Sequence, residues 1–228
     1  MSSFTSSDLL AFQIFSSLSQ DEANLMTQRV LQTDHENDQT LTLEGDWGES
    51  LFLIRTGIAK VRSFTENGEE RVFCILGAGE VFGEMALIDG QSRSADVVAL
   101  TPVTLVKLAG NPVLKSLNSN PSFALEIAKL EAARLRDLNR RFALQGEDAT
   151  TRLLDTLAYL SRKHAPDLKD ALSVPEMAQQ ELANLAGLSR ETTSRILSKL
   201  RERGVIVRKN GCLHVVDLQP LIKRGLID

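Results

Sequence analysis

Residues 180–197 read Gln180-Glu181-Leu182-Ala183-Asn184-Leu185-Ala186-Gly187-Leu188-Ser189-Arg190-Glu191-Thr192-Thr193-Ser194-Arg195-Ile196-Leu197. Small Ala183 lets two helices approach closely, and Gly187 permits the sharp turn between them. Ser189 is suited to cap the second helix, because its hydroxyl accepts a backbone amide that the helix cannot satisfy internally. Ile196, Leu197 and Leu200 fall on the inward face of that second helix. Arg190, Glu191, Ser194, Arg195 and Lys199 share the opposite face. A stripe of several donors and one acceptor is narrow enough for a major groove, where arginine pairs bidentately with guanine and glutamate accepts from cytosine. Taken one residue at a time, the same stripe is an ordinary solvated face.

Outward from this stretch, residues 204–217 alternate Val205, Val207, Leu213 and Val215 around Asn210-Gly211, a β-hairpin signal. Upstream, residues 151–163 carry Leu153, Leu154, Leu157 and Leu160 at helical spacing, before a break at Pro166. Two helices followed by a hairpin make a winged helix-turn-helix pattern. Charge supports it: residues 143–228 carry +2 and residues 1–142 carry -6, while residues 190–209, with Arg208 and Lys209 on the hairpin, hold a net +5. Such a local basic patch can neutralise phosphates despite an acidic total.

Nearer the start, the pattern changes. Apolar runs at 41–43, 51–55, 58–64, 71–76, 95–100 and 103–108 alternate with glycine-containing turns, the mark of an antiparallel roll or barrel. Thr65-Glu66-Asn67-Gly68 reads as a hairpin turn. Residues 21–31 read as a short helix. Between the two halves, Leu125, Ala128, Ala132, Leu135, Asn139 and Phe142 recur at spacings of three and four, the seam of a coiled-coil-like helix. That helix either pairs within a homodimer, the preferred reading, or packs on its own β-domain.

The whole chain has 228 residues, 43% of them hydrophobic and 25% charged, with a net charge of -4 and two cysteines. This composition excludes a disordered or fibrous chain. No run approaches the ~18 apolar residues of a membrane span, and the Ser-rich start lacks the features of a secretory signal, so a cytoplasmic protein without membrane association is expected. Cys74 and Cys212 are too few for a disulfide framework, a four-ligand metal site or an Fe-S cluster. His35, His164 and His214 lie in separate segments with no hydrolase, zinc-protease or P-loop motif nearby, so no enzyme is expected.

The run 188–197 resembles the recognition helix of the CRP/FNR family, specifically its cyclic-AMP receptor branch, and the likeness covers nearly the whole chain in the same domain order. It implies an α+β protein with a cyclic-nucleotide-binding β-roll at 1–119, a dimerisation helix at 120–145 and a winged helix-turn-helix at 146–228. The implied partners are double-stranded DNA, a second copy of the chain and RNA polymerase, with residues 162–171 as the polymerase surface by family position. Arg190, Glu191 and Arg195 match the family's base-reading trio, which implies an inverted TGTGA-like repeat. Gln180, Ser189 and Thr192 match phosphate contacts.

A second stretch, Gly79-Glu80-Val81-Phe82-Gly83-Glu84-Met85-Ala86-Leu87 with Arg93-Ser94-Ala95, resembles the phosphate-binding cassette of cyclic-nucleotide domains. Gly83 lets backbone amides approach an anion, Glu84 suits a ribose hydroxyl, and Arg93 offers a charged fork for phosphate. Met85 and Ser94 complete the set. The competing reading is an Arg93–Glu84 ion pair in a vestigial pocket. On the long helix, Arg134, Leu138 and Asn139 stand where the cyclic-AMP receptor presents Arg, Thr and Ser. Asn139 can hydrogen-bond a base, whereas Leu138 cannot. The cassette makes cyclic AMP, without haem, metal or cluster, the preferred effector, while Leu138 departs from the pattern that reads adenine. Cyclic di-GMP is the alternative, given Arg134, Arg136, Arg140 and Arg141, and a ligand-independent DNA-binding dimer is a third reading.

Overall fold

A computed structural model describes residues 4–165 and 172–227. They form two compact units, one comprising residues up to Ser63 with Leu76–Asp137, the other Phe64–Ile75 with residues from Leu138 onward.

The first unit opens with helices α1 (Ser6–Leu10) and α2 (Gln20–Thr27), each begun by a capping box, Thr5 with Asp8 and Ser19 with Glu22. Strands β1 (Leu31–His35), β2 (Thr40–Thr42), β3 (Ser50–Thr56), β4 (Ala59–Phe64), β5 (Glu70–Leu76) and β6 (Val81–Phe82) follow in chain order, then α3 (Glu84–Asp89), β7 (Asp96–Ala99), β8 (Val103–Ala109), α4 (Gly110–Ser119) and α5 (Pro121–Ala143), with β5 up to Ile75 and α5 from Leu138 counted in the second unit. The strands lie in two four-stranded sheets, ordered β1-β8-β3-β6 and β2-β7-β4-β5. Leu51 pairs with Leu108 and Leu53 with Val106, so alternate residues of β3 and β8 face one core. Leu9, Phe15, Met26, Phe123 and Ile127 close over that core from the helices. The Phe15 and Phe123 rings stack with centroids 5.8 Å apart. Truncating either to alanine would destabilise the unit by about 3–5 kcal/mol.

One expectation is corrected by this element order. The helix expected at 21–31 ends at Thr27, and Leu31 instead opens β1. The polar Leu31-Gln32-Thr33-Asp34-His35 run forms a strand because β8 supplies a full five-residue register against it; tertiary pairing overrides weak local preference.

Helix α5 serves two purposes. Phe123 and Ile127 are buried in the core of the first unit, as the plainer reading of this helix requires. The seam is nevertheless bare: Leu125 is 55%, Leu135 59% and Phe142 72% exposed.

The second unit contains α6 (Ala149–His164), β9 (Leu172–Pro175), α7 (Gln179–Ala186), α8 (Arg190–Glu202), β10 (Ile206–Lys209), β11 (Cys212–Val215) and α9 (Gln219–Ile222). Asp148 caps α6 by accepting from the amides of Thr150 and Thr151. The wing is a three-stranded antiparallel sheet ordered β10-β11-β9, one strand larger than the hairpin expected. Its tip uses positive φ at both Asn210 (51°) and Gly211 (70°), the backbone that a two-residue reversal demands. Among the described residues no helix is long and apolar enough to cross a membrane.

Candidate functional site

In the first unit, Gly83 sits at the start of α3 with φ 86°, a conformation that only glycine adopts without strain. A Cβ there would collide with the Arg93 guanidinium and lie 3.0 Å from the Ser50 carbonyl oxygen; one at Gly48 would lie 2.7 Å from Arg93 Nη2. Two glycines therefore make room for one buried arginine. Arg93 Nη1 donates to Gly83 O at 2.8 Å and Nη2 to Ser50 O at 2.7 Å, with the guanidinium 5.4 Å from the Phe52 ring centroid. Burial pushes the Arg93 pKa down, while Glu84 and Asp46 pull it back up. These two bonds use part of a five-donor fork and fix its orientation.

Glu84 is 4% exposed. Its Oε1 accepts from Arg134 Nη1 at 2.9 Å, and the same nitrogen donates to Glu131 Oε1 at 2.8 Å. Arg134 Nη2 donates to the Val81 carbonyl. The other oxygen, Glu84 Oε2, is buried with no hydrogen-bond partner among the described residues. Burial pushes the Glu84 carboxyl up to about 7, against the pull of Arg134 and with a further push from Glu131. An unpartnered buried acceptor is costly, and it is poised to take one donor.

Gly83, Glu84, Arg93 and Arg134 are thus brought together. The ion pair of this group is Arg134–Glu84, while the Arg93 fork is held by backbone carbonyls. Met85 is 48% exposed, and the Ser94 hydroxyl donates toward its Sδ at 3.8 Å. Leu138 and Asn139 are exposed on α5, in the second unit. Sequence reasoning missed Glu131, Gly48 and Ser50. For Glu131 a signal existed, since Glu131 and Arg134 are three residues apart on one helix.

In the second unit, Gly187 ends α7 with φ 62°, and Leu188 N donates to Ala183 O at 2.8 Å across the turn. Ser189 caps α8 by accepting from Thr192 N at 3.2 Å, as its position predicted. Ile196, Leu197 and Leu200 are buried, along with Thr193. Arg190, Glu191, Arg195 and Lys199 are exposed, with Thr192 and Ser194 half-buried beside them. Gln180 is exposed and donates to Asn184 Oδ1 at 2.8 Å. Arg152, on α6, was not foreseen. Its Nε and Nη2 donate to Ala186 O at 3.1 and 2.8 Å, and Nη2 also reaches Gly187 O. One guanidinium thereby satisfies the carbonyls that end α7 and braces the turn.

A third group in the second unit joins β5 to the helices. Ile75 N donates to the Tyr159 hydroxyl at 3.1 Å and Arg141 Nη1 to Phe73 O at 3.0 Å. Asn184 Nδ2 donates to Glu70 Oε2 at 2.9 Å. Arg140 Nη1 lies 2.7 Å from Asp155 Oδ1, and burial raises the Asp155 pKa against the pull of Arg140.

Two family models match the chain: a cyclic nucleotide-binding domain over residues 33–120 and a Crp-like helix-turn-helix domain over residues 151–224. The cyclic AMP receptor protein of Thermus thermophilus is 34% identical over 205 residues, 89% of this chain and 91% of that protein. The chain belongs to the CRP/FNR family. A second CRP relative, the CRP-like cAMP-activated global transcriptional regulator of Mycobacterium tuberculosis, is 26% identical over 93% of this chain and 96% of its own. The fold is shared with FixK2 of Bradyrhizobium japonicum, at a TM-score of 0.74 and 20% identity over 86% of this chain and 96% of that one. It is shared too with the c-di-GMP-responsive regulator CLP of Xanthomonas campestris, at 0.65 and 23% over 82% and 94%. As a CRP/FNR protein the chain is a DNA-binding transcription regulator with a cyclic nucleotide-binding domain, in a family of regulators rather than enzymes. Among the described residues, no group of three or more His, Cys, Asp or Glu is placed to hold a metal ion.

Proposed function

We propose that the protein is a homodimeric regulator whose affinity for an inverted TGTGA-like repeat is set by cyclic AMP. The observation that carries the reading is the Glu84 Oε2 atom, a buried acceptor without a donor among the described residues, beside an Arg93 fork already fixed by two carbonyls. A cyclic nucleotide offers the two complements together: a ribose hydroxyl for Glu84 and a monoanionic phosphate for Arg93. Met85, Ser94 and Asn139 are assigned to the same ligand, Asn139 through the base. Arg134, held by Glu84 and Glu131, ties the pocket to α5, and the bare seam of α5 supports pairing of two copies.

On the DNA side, Arg190, Glu191 and Arg195 read bases, with Ser194 and Lys199 flanking them on the same face, while Gln180, Ser189 and Thr192 hold phosphates. The functional division follows the roles of the segments: 1–119 for the ligand, 120–145 for pairing and 146–228 for DNA. Ligand acts only by binding the DNA-competent dimer more tightly than the other state. RNA polymerase is the further partner and the cytoplasm the location. Of the proposed polymerase surface at 162–171, residues 166–171 lie outside the described residues.

Calorimetry with cyclic AMP, cyclic GMP and cyclic di-GMP, followed by DNA titrations with and without each, tests the reading. Cyclic AMP is expected to bind and to tighten DNA binding. Binding of cyclic di-GMP alone would favour the second reading, which the exposed Leu138 supports because it gives an adenine no hydrogen bond. Equal DNA affinity in ligand-free buffer would favour a constitutive binder.

A further inference from the structure

The second unit holds a cleft of roughly 230 Å3 between the first turn of α7, the inner face of α8 and the wing. Its apolar walls include Val174, Leu182, Leu197 and Leu213, all buried, with half-buried Met177 among its lining residues. Three cations belong to the same lining, Arg201 from α8 and Arg208 and Lys209 from the wing, against a single carboxylate, Glu176. Glu176 is taken by Arg208 at 3.0 Å, and no ion pair to Arg201 or Lys209 occurs among the described residues. The cleft opens to solvent on the side of the exposed Glu176, Arg201, Arg208 and Lys209 and is floored by the buried apolar side chains, a concave surface with convergent polar groups of the kind that takes small molecules. The volume lies below the ~300–1,000 Å3 of pockets for drug-sized ligands, which limits the occupant to a short chain. Net positive charge at the lining selects an anion, and a planar guanidinium suits a carboxylate.

We infer that this cleft between α7, α8 and the wing binds a medium-chain carboxylate, with the alkyl chain among Leu182, Leu197 and Leu213 and the carboxylate on Arg201. Because the site shares Arg208 and Lys209 with the basic wing, the bound anion weakens DNA binding. That last step rests on the DNA-binding reading above, whereas the binding itself does not, and the two are measured separately.

The test uses the full-length protein and octanoate, titrated calorimetrically without DNA and then in competition with a DNA duplex. Each buried methylene is worth roughly fourfold in affinity, so octanoate is expected to bind one-to-one at least tenfold more tightly than acetate. It is also expected to bind at least tenfold more tightly than octanol, which lacks the charge. Met177→Trp fills the cleft and Arg201→Ala removes the fork; each is expected to lower octanoate affinity at least tenfold, with melting temperature confirming that both fold. Octanoate binding no better than acetate or octanol, non-saturable uptake, or binding indifferent to both substitutions overturns the site. Octanoate that binds as expected but leaves DNA affinity unchanged overturns only the antagonism.

Discussion

Glu84→Gln is expected to act in opposite directions on the ligand-free protein and on ligand affinity. A carboxyl moved by burial from its ordinary 4.5 to about 7 carries about 3 kcal/mol of preference for the neutral acid, at ~1.36 kcal/mol per tenfold change. With the folded pKa above the unfolded one, this stabilisation is complete below pH 4.5 and is lost as the pH rises to 7. Glutamine is neutral throughout and escapes that loss. Arg134 is not stranded, because Glu131 at 2.8 Å and the Val81 carbonyl still hold it, so the usual penalty for breaking a buried pair does not apply in full. At ~2–4 °C per kcal/mol for a chain of this size, the melting-temperature difference, variant minus wild type, should grow by up to about 10 °C between pH 5 and pH 8. Cyclic AMP binding should weaken instead, since a hydrogen bond to a charged acceptor contributes about 1.5–3 kcal/mol, or roughly 10- to 150-fold in affinity. Scanning fluorimetry across pH and calorimetry at pH 8 measure the two effects. A difference in melting temperature that is independent of pH, or a variant that melts lower at pH 8 than at pH 5 relative to wild type, would refute the reasoning.

Arg190→Ala should relax discrimination at one guanine by about 1–3 kcal/mol, whereas Lys209→Ala should weaken all duplexes alike and flatten the salt dependence; equal losses on cognate and scrambled DNA for both variants would dismiss the division of labour. Arg152→Ala leaves the Ala186 and Gly187 carbonyls without their donor and should destabilise the second unit by about 1–3 kcal/mol, read by chemical denaturation; an unchanged midpoint would show that the brace is dispensable. Leu135→Glu places a charge on a seam position that is 59% exposed in the single chain; sedimentation is expected to give a dimer for the unsubstituted protein and a monomer for the variant, and an intact dimer in the variant would exclude the seam as the pairing face.

Legibility in the sequence followed the range of the forces involved. The turn at Gly187, the Ser189 cap and the inward Ile196, Leu197 and Leu200 depend on neighbours within one or two helical turns, and the sequence displays them directly. Strand β1 was unreadable because its polar run becomes a strand only through β8, some seventy residues away. The same limit hid Arg152, which acts on carbonyls 34 and 35 residues distant. In the pocket, the types of Gly83, Glu84 and Arg93 were legible. That Glu84 would pair with Arg134 and leave one oxygen unpartnered depends on how α5 lies against β6 within the first unit.

The brace at Arg152 has a consequence for how such regulators diversify. One guanidinium ties α6 to the end of α7 and to the Gly187 turn that leads into α8, so the start of α8 is anchored to the rest of the second unit from one side. A substitution on the exposed face of α8 can then change which groups are offered at that surface while the turn geometry, fixed from α6, stays as it is, so surface chemistry and local backbone shape are free to evolve independently.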